Sequence, residues 1–185
     1  MRRRRARAQA EPPGPDASLE IAARFLGTRP RSRWEVERRL QRAKATDEVI
    51  RATLDHLTRL GLVDDLAFSR WWLEQRDRHA PRGRRLVEAE LRQHGVGREA
   101  IEQLRDEFAA LDGDAQRPED TEDLPVTEEA RAQVALAQHL RGRPLPDDPK
   151  ALQRLGMFLV RRGFDPDTVR RTVRAAADAD ADDQE

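Results

Sequence analysis

The chain has 185 residues, and its 35 Lys and Arg are balanced by 35 Asp and Glu, so the formal charge is zero. Charged residues make up 38% and the hydrophobic set 37%, against about 25% and 45–50% in average soluble domains, which leaves only a thin core. No run of about 18 apolar residues is present, and the absence of Cys excludes a disulfide scaffold, Cys-ligated zinc, iron–sulfur centres and thiol chemistry.

Charge is segregated along the chain. Residues 1–10 hold five Arg and no acid, including the run Arg2 to Arg5. This basic start has no apolar stretch behind it, so it is not a secretory signal. Composition alone leaves an Arg-rich transit peptide open, and a soluble cytoplasmic protein is the simpler reading. Residues 18–105 carry +5, residues 106–129 carry −9, residues 130–174 carry +6 and residues 175–185 carry −5. Two basic bodies are thus divided by an acidic connector and flanked by a basic arm and an acidic tail.

Apolar spacing is helical almost throughout, with no sustained alternation of the kind strands need. Leu19, Ala22, Ala23 and Leu26 fall at i, i+3, i+4 and i+7. Ser32 with Glu35 has capping-box spacing and predicts a helix start. Thr46, followed by Asp47 and Glu48, predicts another, continued by Ile50, Leu54 and Leu57. Gly61, Gly95 and Gly163 sit where helices should stop. Asp64-Asp65 is a possible carboxylate pair for a metal, but acids favour the first turn of a helix and the helix start is the stronger reading. Phe68, Trp71 and Trp72 form a dense apolar cluster that suits core packing better than stacking on nucleic-acid bases, with one of the adjacent Trp expected to be partly exposed. Ile101, Leu104, Phe108 and Leu111 continue the helical pattern, and Asp148-Pro149 and Asp165-Pro166 place a capping Asp before a first-turn Pro.

The chain repeats itself. Leu40, Lys44, Thr46 and Ile50 align with Leu91, Gly95, Gly97 and Ile101 at an offset of 51, and these with Leu159, Gly163, Asp165 and Val169 at an offset of 68. Val36, Val87 and Leu155 share the register, and Gly83 matches Ser32. The pattern predicts an all-α fold of three tandem three-helix repeats, stacked into an elongated, curved body in which neighbours bury what one unit cannot. The expected division is a disordered basic arm at 1–16, repeats at 17–62 and 63–111, an acidic flexible linker at 112–126 acting as a hinge, a third repeat at 127–177, and a disordered acidic tail at 178–185.

No catalytic constellation stands out. The four His, at 56, 79, 94 and 139, never fall at i, i+3 or i+4, so no helical metal pair forms. Gly95-Val96-Gly97 lacks the third Gly and the preceding strand of a phosphate loop. Ser32 has no base nearby in sequence and is sufficiently explained as a cap. No cofactor and no enzymatic activity are expected. The candidate functional residues are basic: Arg29, Arg31 and Arg33 flank the first interhelical turn, Arg82, Arg84 and Arg85 the matching turn of the second repeat, and Arg161 and Arg162 a turn of the third. They form either a stripe that attracts phosphates or acidic protein surfaces, or an ordinary solvated face, since Glu35, Glu37, Glu88 and Glu90 are interleaved.

Several motifs together resemble a family. Ser32-Arg-Trp-Glu-Val-Glu-Arg-Arg-Leu40 with Arg29 and Arg31 before it is similar to an opening of the form RxRSxxELxxxL. Gly61-Leu-Val-Asp64-Asp65-Leu-Ala-Phe68-Ser69 resembles GlidDxxfA. Gly83 with Glu90-Leu91 and Gly95-Val96 resembles GxxxixxELxxkGi, and Phe158-Leu159-Val-Arg-Arg-Gly163-Phe164 resembles flxrRGfs. In this order and spacing they resemble the bacterial RecX regulatory proteins. The resemblance implies a modulator of RecA recombinase that lies in the groove of the RecA–single-stranded DNA filament and limits its growth, ATP hydrolysis and strand exchange. It implies RecA and single-stranded DNA as partners, a monomer, no membrane, and a structural role for most motif positions. The reading set against it is a stand-alone helical module that binds single-stranded nucleic acid through the Arg stripe. The connector is longer and more acidic than the family pattern leads one to expect, and Ser69 stands where Ala is usual.

Overall fold

The computed structural model describes residues 11–114 and 127–182. Among these residues the protein is helical, with α1 (Pro15–Leu26), α2 (Arg33–Arg42), α3 (Asp47–Arg59), α4 (Asp65–His79), α5 (Arg84–Gln93), α6 (Arg98–Asp114), α7 (Glu128–Leu140), α8 (Pro149–Arg161) and α9 (Pro166–Asp182). They group as three three-helix repeats in two compact units, Met1–Asp65 and Leu66–Glu185.

Local sequence explains the boundaries. Pro15 opens α1 after Gly14, a position where its missing N–H costs nothing. Ser32 and Glu35 form the full capping box at α2, the Ser hydroxyl accepting from the Glu35 N–H at 3.1 Å. Thr46 and Thr127 cap α3 and α7 in the same way. Asp148 accepts from the N–H groups of Lys150 and Ala151, and Asp165 from those of Asp167 and Thr168. Three helices cross the boundaries drawn from sequence: α1 begins at Pro15, inside the basic arm, α6 continues to Asp114, and α9 to Asp182, into the acidic tail. Ala175–Ala177 with Ala179 and Ala181 supply the highest intrinsic helix propensity in that stretch. The remaining connector residues, 115–126, and most of the basic arm, 1–10, lie outside the described residues.

The repeat recurs in the backbone where the middle helices end. The middle helices α2, α5 and α8 end in the same motif. Lys44, Gly95 and Gly163 are left-handed, with φ of 64°, 72° and 88°. The next residue's N–H reaches back five positions: Ala45 to Leu40, Val96 to Leu91, Phe164 to Leu159. This double-bonded ending satisfies carbonyls that the helix end leaves open. Gly61 closes α3 likewise. The N-caps Ser32 and Gly83 have nearly the same backbone, φ −68° and ψ 157° against φ −70° and ψ 158°.

Each repeat has its own apolar cluster. The first joins Ala22, Val36, Leu40, Ile50, Leu54, Leu57 and Val63. The second is built on Phe68, Val87, Leu91, Ile101 and Phe108, and the third on Ala132, Leu136, Leu155, Leu159 and Phe164. Leu40, Leu91 and Leu159, which the repeat register aligns, are each fully buried.

Candidate functional site

The second and third repeats meet along a seam in which backbone touches backbone. The Gly83 N–H donates to the Arg162 carbonyl at 3.0 Å. A Cβ on Gly83 would fall 2.3 Å from the Gly163 carbonyl carbon, and one on Gly163 2.5 Å from the Leu86 Cβ. Both positions therefore need glycine for clearance, and Gly163 also for its positive φ. The Arg162 guanidinium donates to the Pro81 carbonyl at 3.2 Å from the same turn.

Charge is buried beside this contact. Arg131 on α7 is 3% exposed, and its Nε donates to both oxygens of Asp77 on α4 at 3.0 Å. Its guanidinium also lies 4.8 Å from the Phe108 ring centroid. Burial pushes the Asp77 carboxyl up to about 6, against the opposing pull of Arg131. Buried Glu128 accepts from the backbone N–H of Arg84 at 3.3 Å and pairs with its guanidinium. The sequence reading expects a hinge between these repeats. The described residues on either side of the connector are instead fastened to each other, by a close glycine approach and by ion pairs 44 and 54 residues apart in sequence.

These contacts decide where the candidate arginines go. In the first unit, Arg29 pairs with Glu35 at 2.7 Å, and Arg33 with Asp55 at 3.0 Å. Arg31 lies 4.0 Å over the Phe25 ring and donates to Thr28 Oγ1 at 2.8 Å. In the second unit, Arg82 pairs with Glu90, which also accepts from Arg76 Nε at 2.9 Å and Trp72 Nε1 at 2.8 Å. The Arg82 pKa is lowered by burial and then by the neighbouring Arg76 and Arg162. Arg84 is held by Glu128, and Arg162 by Pro81. Arg85 and Arg161 are exposed. Of the eight candidates, most are thus engaged inside the protein, and these two face outward from the helix ends that the seam brings together.

The motif positions are structural. Ser32, Leu40, Phe68, Gly83, Glu90 and Leu91 are buried, and Gly61, Gly95 and Gly163 provide left-handed turns. Asp65 opens α4 and its carboxylate accepts the Arg33 N–H at 2.8 Å, while Asp64 immediately precedes the helix. Among the described residues no group of three or more His, Asp or Glu could hold a metal ion. Trp71 and Trp72 are both half-buried and pack on Phe68, at 5.9 and 6.1 Å between ring centroids. Both are thus partly exposed, and Trp34 is more so, at 39%.

The order of the repeats and their caps can now be set against known proteins. Family models for the first, second and third three-helix domains of RecX match residues 19–57, 64–104 and 127–173. The chain belongs to the RecX family. The regulatory protein RecX of Thermobifida fusca is 34% identical over 180 residues, spanning 91% of this chain and 88% of the relative. That of Mycobacterium avium is 31% identical over 156 residues, spanning 84% and 82%. The crystal structure of RecX from Lactobacillus salivarius superposes with a TM-score of 0.69 at 14% identity, covering 88% of this chain and 96% of that one, so the fold is shared where the sequence has diverged. RecX relatives carry the description of regulatory proteins, in keeping with a site made of packing and charge. No helix among the described residues is long and apolar enough to cross a membrane.

Proposed function

We propose that the chain regulates RecA recombinase, acting on the RecA–single-stranded DNA filament to limit its growth, ATP hydrolysis and strand exchange. The observation that carries this reading is the complete ordered set of three RecX domains along one chain. The geometry supports it in a second way. Surface charge and the fixed spacing of the second and third repeats suit contact with an extended polymer, whereas no enclosed polar constellation among the described residues suits turnover of a small substrate. In this reading the protein is a cytoplasmic monomer that needs no cofactor, and Arg85 and Arg161 are its outward contacts at the seam. Arg82, Arg84 and Arg162 position the helix ends that carry them.

The test is RecA's DNA-dependent ATP hydrolysis with the protein added below the recombinase concentration. Slowed hydrolysis is expected, and normal hydrolysis with the protein in excess would overturn the proposal. Arg85→Ala with Arg161→Ala should weaken inhibition while leaving the helical circular dichroism unchanged.

A further inference from the structure

The outward face of α2 carries a feature that packing does not require. Val36 and Leu40 face the core and are fully buried. Trp34, two residues from Val36, stands on the opposite side of the helix, because two residues turn the chain by about 200°. In the repeat register its counterparts are Arg85 and Gln153, both polar. Trp34 is nonetheless a large aromatic left 39% exposed.

Its neighbours are cationic. The Arg38 guanidinium lies 4.8 Å from the Trp34 ring centroid, one turn along the helix. Arg42 follows one turn further and is exposed. The carboxylates of α2 have other partners: Glu35 holds Arg29 and completes the capping box, and Glu37 accepts from Gln41. No carboxylate among the described residues pairs with Arg38 or Arg42. An aromatic face beside guanidiniums at steps of about 6 Å along a helix is the combination that holds unpaired bases by stacking and their phosphates by charge.

We propose that this face of α2 is a binding site for single-stranded nucleic acid, with Trp34 stacking on a base and Arg38 and Arg42 meeting adjacent phosphates. Arg38 covers one face of the indole, and the base takes the other. Stacking is indifferent to base identity because every base has a π-face, so the site binds strands with little sequence preference. It lies on the first repeat, whereas Arg85 and Arg161 belong to the second unit, and it does not rest on the recombinase reading.

The test measures binding of the full chain to a fluorescently labelled oligothymidine by anisotropy, with no recombinase present. Trp34→Ala should weaken binding by about tenfold, whereas Trp34→Phe should retain most of it. Arg38→Ala with Arg42→Ala should weaken binding and make the log–log salt dependence shallower by about 1.4, the value for two lost single-strand phosphate contacts. Trp34→Ala should leave the slope unchanged and, because the side chain lies outside the core, the melting temperature also. Wild-type affinity in Trp34→Ala would overturn the proposal, as would equal losses for Ala and Phe or no binding by the unaltered chain. Loss of recombinase inhibition in Trp34→Ala with unchanged affinity for the bare strand would assign the face to a protein partner instead.

Discussion

The first repeat and the joined second and third repeats use the same local devices but handle charge in opposite ways. In the first, no ion pair is fully buried: Arg29–Glu35 flanks a cap and is half-buried, and Arg33–Asp55 is largely exposed. In the second unit, Asp77, Arg131, Glu90 and Glu128 are all buried. Exposed pairs such as Arg33–Asp55 contribute about 0–1 kcal/mol. Buried pairs contribute little net stability when complete, but breaking one leaves a charge without water or partner. The first repeat is therefore held mainly by its apolar cluster, whereas the other two are bound to a particular alignment, since any slip would strand a buried charge.

The largest expected effect is at that buried pair. Arg131→Met should destabilise the second unit by about 3–5 kcal/mol, because Asp77 is left alone in the seam. Adding Asp77→Leu should recover much of the loss in thermal unfolding. If the single change costs no more than Arg33→Met in the first repeat, the contrast between the units fails. Next is the glycine approach. Gly83→Ser, which installs the first repeat's own cap residue, should cost about 1–3 kcal/mol through overpacking against Gly163. The reciprocal Ser32→Gly should cost only a few tenths of a kcal/mol, and equal costs by chemical denaturation would remove the steric argument.

A smaller effect is expected from pH. The Asp77 carboxyl titrates near 6 in the folded protein against 3.8 as its ordinary value. Between these values the folded state binds more protons than the unfolded one, so this group's contribution to stability is full below about pH 4 and is lost as pH rises through 6. Asp77→Asn should flatten that slope in denaturant midpoints measured from pH 4 to 7, and an unchanged slope would locate the titration elsewhere. The smallest effect is at Lys44, a non-glycine residue held at φ 64°. Lys44→Gly should stabilise the first repeat by about 0.5–1 kcal/mol, seen as a modest rise in melting temperature, and a fall would mean that the side chain contributes more than the strain costs.

What could be read from the sequence divides along the same line. The helices, the capping box at Ser32, the capping Asp148 and Asp165 and the turns at Gly61, Gly95 and Gly163 were legible because each depends on residues within one helical turn or two. The repeat register followed, since aligned left-handed positions recur at fixed offsets. The seam was not legible. Asp77 and Arg131 look like any two charges in a chain that is 38% charged, and nothing local says that both are buried. The one available signal was Gly83, a glycine where the register has Ser32, and clearance for another backbone was the reason. The Arg candidates lie beside turns, but partners such as Glu128 for Arg84 come from distant segments, so neither pairing nor exposure followed from spacing. Trp34 lies inside a family motif, yet its polar counterparts Arg85 and Gln153 mark it as surplus to packing.

The glycine contact and the buried pairs also change what the acidic connector is for. Positioning of the third repeat is already accomplished by Gly83 with Gly163, Asp77 with Arg131 and Arg84 with Glu128. What joins the two halves then has only to keep them near each other, raising the local concentration of one around the other. Lengthening a tether is cheap, about 0.6 kcal/mol for each doubling. Segments of widely different length and charge that can span the gap are therefore admissible between residues 114 and 127.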